Sequence, residues 1–403
     1  MDFFRALTVE AALAELRRHF QALLETEKVD LRQALGRVLA RDCFAPEDVP
    51  GFDRSTMDGF AVRARDTFGA SEGLPAYLEV TGEILMGEAP SGEIGAAEAF
   101  RVPTGGMLPA GADAVVMLEY TEPLDDRTIG VVRPVAPGEN VIRRGDDLRR
   151  DEQLFEAGHR LRPQDVGLLA AAGIGEVEVY RRLRVGIITT GDEIVPVKAK
   201  PGPGQVRDVN SYTAQGQVVE CGGEPVLFGV VPDEFESLAA VLRRALAETD
   251  LVVISGGSSV GARDITARVI DSLGEPGVLF HGLAVRPGKP TIGAVVGGKL
   301  VFGLPGHPVS AMVVFRLLVA PLLDPRAGRS AIRARIRRSL RSQVGKEDYV
   351  RVRLVWENGE LYAEPVLGKS GLIATMARAD GLARIPLDRE GVAEGEPVEV
   401  ILF

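Results

Sequence analysis

Between Leu183 and Leu323, apolar runs of strand length alternate with segments of helical period, and this alternation restricts the fold more than any other feature of the chain. RVGIITT, VLFGVV and LVVISG are short and rich in Val and Ile, and they lack the polar alternation of a strand with one wet face. Runs of that kind belong to strands covered on both faces. In FESLAAVLRRALAE, one helix face collects Phe235, Leu238, Ala239, Leu242 and Leu246, and Ile265, Val269, Ile270 and Leu273 repeat the pattern. Strand, helix, strand in sequence predicts a doubly wound parallel-sheet domain over 179–325. Ligands of such sheets bind beyond the carboxyl ends of the strands.

A chain of 403 residues needs further domains. Helical spacing at Val9, Ala12, Leu13, Leu16 and Phe20, a short helix expected over VDLRQALGRVLARD, and RPQDVGLLAAAGI predict a discontinuous helical domain from 1–48 and 140–178. The segment 49–139, full of Gly, Pro and short β-like runs, is expected to be an inserted, mostly β module. The tail 326–403 has strand-like runs and no long helix, which predicts a C-terminal β barrel. Its seven arginines between 326 and 341 alternate with Ile and Ala, as on a strand with one solvated face. The whole is expected to be a multidomain α/β protein.

Composition excludes several partners. With 45% hydrophobic and 26% charged residues the chain is globular, and a net charge of −10 disfavours nucleic acid and acidic membranes. VSAMVVFRLLVAPLL is too short to span a bilayer and contains Arg316. MDFFRALTVEAAL lacks the pattern of a secretory leader. Two cysteines, Cys43 and Cys221, form no disulfide framework and suggest a reducing cytoplasm, and four scattered histidines suggest no zinc site.

The chemistry is expected at the strand ends. In SGGSSVGARD, the residues Gly256, Gly257, Ser258 and Ser259 leave a backbone open to a ligand, with Asp264 beyond. The loop reads either as a phosphate cradle or as a tight turn before a helix with a first-turn acid. Asp192 and Glu193 in TTGDEI and Asp233 in VVPDEF end two other strands. Asp233 with Glu236 also fits a capping box. Three acidic strand ends on one sheet repel, and Mg²⁺ bound by carboxylates and ligand phosphates would relieve this. RPGKP aims Arg286 and Lys289 from one rigid turn, and GLPGHPVS places Pro305, Pro308 and Ser310 where a strand meets a helix.

In chain order, GFDRSTMDGFAV, VPTGGMLPAGADAVV, GENVIRRGDDL, TTGDEI, SGGSSVGARD, RPGKP and GLPGHPVSA resemble the signatures of the molybdopterin molybdenumtransferases. These are molybdenum-insertion enzymes of cofactor biosynthesis, similar to the C-terminal part of gephyrin, and the resemblance spans nearly the whole chain. It implies that adenylylated molybdopterin binds at the edge of the sheet, that molybdate enters, and that the pyrophosphate link is cleaved with Mg²⁺, releasing AMP. It implies cleavage by Asp264, Asp233, Glu193 and Asp192, with Asp264, Asp233 and Glu193 holding the metal. Substrate contacts are implied at Asp58, Thr104, Asp147, Gly256, Gly257, Ser258, Ser259, Pro305 and Pro308. Molybdate contacts are implied at Arg286, Lys289, Ser310, Arg351 and Ser370.

The chain departs from the family pattern at several points. Arg286 replaces the first lysine of Lys-Pro-Gly-Lys-Pro, and His307 replaces the usual asparagine of Pro-Gly-Asn-Pro. HGLAV lacks the lysine that usually precedes that turn, although His281 is nearby. The serine of the C-terminal domain falls by position on Leu372, leaving Ser370 as a substitute.

The resemblance further implies a homodimer with a shared active site, contact with the molybdopterin adenylyltransferase, and a cytoplasmic location. Met57, Phe60, Met107 and Leu108, apolar residues in Gly/Pro-rich loops, are expected to be covered by a partner or to seal the module's own core. Three other readings remain: a gephyrin-like scaffold, an adenylyltransferase on a similar sheet, and a tungsten-inserting variant. The acids at 192, 193, 233 and 264 weigh against the first, and the flanking domains weigh against the second.

Overall fold

The computed structural model describes residues 6–19, 25–256, 260–324 and 331–403, and it leaves out the side chains of 260–264. The chain divides into two compact units, Glu25–Arg181 and Met1–Leu24 with Arg182–Phe403.

In the second of these, six strands form a sheet in the order Glu224–Val231, Arg184–Thr190, Leu251–Gly256, Lys299–Leu304, Ile292–Val296, Pro276–His281. The first four are parallel and the last two join antiparallel. Successive side chains of Leu251–Ile254 are all buried because each faces a helix layer. Leu251 and Val253 pack with Ala214 and Val218 of the helix Asn210–Glu220 and with Val313. Val252 and Ile254 pack on the other face with Leu238, Leu242, Val269 and Ile270. This is the doubly wound sheet expected from the sequence. Thr190 pairs with both Val231 and Gly256, so three strand ends lie level with one another.

The C-terminal part closes a five-stranded barrel from Ala331–Ile336, Glu347–Glu357, Glu360–Pro365, Gly381–Ile385 and Pro397–Leu402. The short strand Val285–Arg286 adds to it in parallel beside Glu347–Glu357. In the arginine-rich strand, Ala334 and Ile336 face the core while Arg335 pairs with Glu360 at 3.1 Å. Arg337, just past the strand, pairs with Glu357.

In Glu25–Arg181, a six-stranded sheet, mostly antiparallel, encloses Val62, Leu78, Val116 and Val131. Its flanking segments differ from expectation. VDLRQALGRVLARD is not an α-helix: its first two residues, Val29 and Asp30, end the strand Thr26–Asp30, and one 3₁₀ turn, Leu31–Gln33, follows. The Asp30 side chain accepts the Arg32 N–H at 2.9 Å, and Gly36 takes φ 73°, so the local chain turns instead of coiling. The strand pairs antiparallel with Glu176–Tyr180, and Val29, Leu39, Leu161, Leu169 and Val179 form a small core around that ladder. Of the expected helical domain, the α-helix Pro163–Ala171 is found there. The helix Val9–His19 belongs elsewhere: Ala12 and Leu16 are buried in the main core of the parallel-sheet unit, which offers far more apolar surface. No helix among the described residues is long and apolar enough to cross a membrane.

Candidate functional site

The strands Leu251–Gly256 and Lys299–Leu304 end on a cavity of about 340 Å³. Arg286, Lys289 and Lys346 line it with the imidazoles of His281 and His307 and the hydroxyl residues Thr266, Ser310 and Ser370. Among the described residues no aspartate or glutamate lines it. A concave site of this composition attracts oxyanions.

Two glycines make room for it. A Cβ at Gly256, where φ is 152°, would lie 2.1 Å from the Thr190 carbonyl oxygen. A Cβ at Gly288, where φ is 120°, would lie 2.4 Å from Val314 Cγ2, so the basic turn can seat on the following helix only with glycine there. Arg286 is ion-paired with the buried Asp348, and its Nη2 also donates to the Arg341 carbonyl at 3.2 Å. Ser370 Oγ meets His307 Nδ1 at 2.9 Å, and the Val309 N–H donates to the Ser370 carbonyl at 3.1 Å. The loop before Pro308 is thereby tied to residue 370.

The acids occupy neighbouring strand ends. Asp192 Oδ1 accepts the Asp233 N–H at 3.2 Å. Burial raises the Asp233 carboxyl above its ordinary range, and the charges of Asp192 and Glu193 add to this against a hydrogen bond from Thr190. Asp233 is not a helix cap: Glu234 holds the N-cap position of Phe235–Glu248, without a side-chain cap bond. Gly257, Ser258 and Ser259 lie outside the described residues, as does the side chain of Asp264.

Residues 7–173 match the family described as "MoeA N-terminal region (domain I and II)", residues 186–325 "Probable molybdopterin binding domain", and residues 333–403 "MoeA C-terminal region (domain IV)". The chain is 35% identical to a molybdopterin molybdenumtransferase of Bacillus subtilis over 96% of this chain and 91% of that one. To the Haemophilus influenzae enzyme of the same name it is 33% identical over 98% of each. The chain belongs to the molybdopterin molybdenumtransferase family.

A crystal structure of a molybdopterin biosynthesis MoeA protein from Pyrococcus horikoshii superposes with a TM-score of 0.84 at 41% identity, covering 99% of both chains. Membership places the chain among the transferases of molybdenum cofactor biosynthesis.

Of the residues that the family resemblance implied, Gly256, Arg286, Lys289, Pro305, Ser310 and Ser370 meet at the cavity. Pro308 opens the helix beside it. Arg351 does not line it: its guanidinium is buried in the barrel unit, donating to Thr375 Oγ1 at 3.1 Å and to the Gly368 carbonyl at 2.7 Å. Burial there lowers its pKa. Asp58 and Thr104, distant in sequence, are joined: Asp58 Oδ1 accepts the Thr104 N–H at 2.7 Å and its hydroxyl at 3.1 Å. Asp147 is exposed, its N–H donating to the Val49 carbonyl at 3.0 Å. Phe60 and Leu108 are buried in their own module's clusters, whereas Met57 is 39% exposed. A partner is therefore not needed to cover the first two.

Two groups near the site were not anticipated. Buried Asp208 accepts the Ser211 N–H at 3.0 Å, and Thr189 Oγ1 meets Ser211 Oγ at 2.8 Å, a polar cluster beneath the strand ends. An acid just before a helix reads locally as a dipole partner, which hides it. Lys346 is the other, and VGKEDY carries no motif that would mark it.

Proposed function

We propose that the chain inserts molybdenum from molybdate into adenylylated molybdopterin and releases AMP. The cavity carries this reading: cations and hydroxyls, with no acid among the described lining residues, suit a tetrahedral dianion, at the strand ends of the domain matched as molybdopterin-binding. Lys289, Ser310 and Ser370 would orient the oxyanion, and the Gly256 backbone would admit the pterin side of the substrate.

The acidic strand ends suit Mg²⁺. Their donors are hard oxygens, and Asp233 is raised partly by its neighbours' negative charge, which a cation would offset. Among the described residues no group of three or more His, Cys, Asp or Glu side chains is placed to hold a metal ion. That is compatible with Mg²⁺, which binds through one or two carboxylates plus substrate phosphates. Those carboxylates would come from Asp264, Asp233 and Glu193, with Asp192 beside them. When bound, Mg²⁺ neutralises the pyrophosphate and polarises phosphorus. The chain's own part is to fix the phosphates against the strand ends and to hold the oxyanion in the cavity until AMP departs.

The working form would be a cytoplasmic homodimer in which Asp58 and Thr104 of a second copy complete the substrate site, supplied by the molybdopterin adenylyltransferase. The joined Asp58–Thr104 pair beside exposed Met57 supports this reading. The test is incubation with adenylylated molybdopterin, Mg²⁺ and either molybdate or tungstate, following AMP release. Oxyanion-dependent AMP release is expected, the preferred oxyanion decides between molybdenum and tungsten, and no release with either refutes the reading.

A further inference from the structure

Lys346 reaches the cavity through strand pairing alone. Val285–Arg286 runs parallel to Glu347–Glu357, with Val285 opposite Glu347 and Arg286 opposite Asp348, and the Glu347 N–H donates to the Ala284 carbonyl at 2.8 Å. This register sets Lys346 beside the basic turn. In the strand Glu347–Glu357, which the bend at Lys346 immediately precedes, alternation separates Asp348 from Glu347 and Tyr349. The latter two bond to each other at 2.8 Å, and Glu347 holds Arg384 at 2.5 Å, so that acid is engaged on the opposite face. Asp348 is paired with Arg286, whose charge is thereby balanced from behind the cavity. Lys289 and Lys346 have no ion-pair partner among the described residues. Two ammonium groups without an ion pair and no lining acid among the described residues match the charge of a dianion.

We infer that Lys346 is a specificity-determining residue that selects, with Lys289, a tetrahedral dianion, while Arg286 is a positioning residue that orders the turn through Asp348. The inference rests on the reading of this cavity as the molybdate site. An ammonium on a flexible stem acts as a point charge that can meet a tetrahedral oxyanion from any side, whereas the Arg286 guanidinium is already engaged by Asp348.

Equilibrium dialysis of the full chain with molybdate, and separately with the tetrahedral monoanion perrhenate, tests it. Lys346→Gln is expected to weaken molybdate binding about ten- to a hundredfold and perrhenate binding less, and Lys346→Arg to restore molybdate binding. Lys346→Met keeps the apolar stem and must show the same loss, which separates charge from packing at the turn. Wild-type molybdate affinity in Lys346→Gln, with affinity lost in Lys289→Gln, overturns the role of Lys346 and leaves the cavity reading standing. Unchanged affinity in both variants removes the oxyanion from this cavity, and the inference falls with that reading.

Discussion

Arg286 and Asp348 form an ion pair in which the carboxylate is only 2% exposed, so the arginine of the basic turn carries its own counter-ion. Removing the arginine alone would leave a buried negative charge behind an anion site. Arg286→Ala is therefore expected to lower stability by about 1–3 kcal/mol and to weaken molybdate binding about tenfold. Adding Asp348→Asn should recover most of the binding loss. Denaturant melts and dialysis on the four members of this cycle check it, and additive losses in the double variant would refute the coupling.

Asp233 should show opposite effects on stability and activity. Its folded-state pKa is raised above the ordinary 3.8, chiefly by burial and then by Asp192 and Glu193. A carboxyl raised in this way contributes stability fully below the ordinary value and loses it as pH rises through the folded value. At pH 7 its charge is thus destabilising, and Asp233→Asn is expected to melt higher than wild type, the difference vanishing in acid. The same variant should lose AMP release and should no longer be stabilised by added Mg²⁺. Thermal melts across pH, with and without Mg²⁺, check both, and a lower melting temperature at pH 7 would contradict the sign.

Gly288→Ala places a methyl 2.4 Å from Val314 Cγ2 at a φ of 120°. Strain and overpacking together are expected to cost about 1–3 kcal/mol and to shift Lys289 away from its cavity position. Urea unfolding and molybdate dialysis should fall together in this variant. Gly297→Ala, in a turn where an added Cβ meets nothing within 4 Å, is the control for strain without a clash.

A shared site can be detected by subunit mixing. Asp58→Ala and Asp264→Asn are each expected to abolish AMP release. Heterodimers formed by exchange should regain partial activity, because one of their two sites would be intact. Proven exchange without recovery would mean that each chain builds its site alone.

The parallel sheet could be read from the sequence because its signals are local. Leu251–Ile254 is apolar throughout because both faces are covered, and Phe235, Leu238 and Leu242 recur at helical spacing because one face is. The acids at 192, 193 and 233 were visible for the same reason, since strand, turn and carboxylate are contiguous in sequence. The basic turn was visible from Pro287, Gly288 and Lys289, which shape it within a few residues.

Long-range pairing decided the rest. Residues 29–42 have the spacing of a helix, but Val29 and Asp30 pair in the ladder to Glu176–Tyr180, Val38 and Ala40 bond to Tyr180 and Glu178, and local propensity is too weak to resist such pairing. Arg351 matched a family position, and the bonds of its Nη1 and Nη2 to Thr375 and Gly368 could not be read from the sequence. Lys346 and Asp348 meet the basic turn only because Val285–Arg286 joins the C-terminal barrel. By itself, the sequence determined the strands and helix faces of the parallel sheet and the charges at its strand ends, since each depends on neighbours along the chain. Which cation faces the cavity unbalanced, and which is already neutralised, was decided by tertiary structure, because electrostatic balance depends on distance in space between residues far apart in sequence.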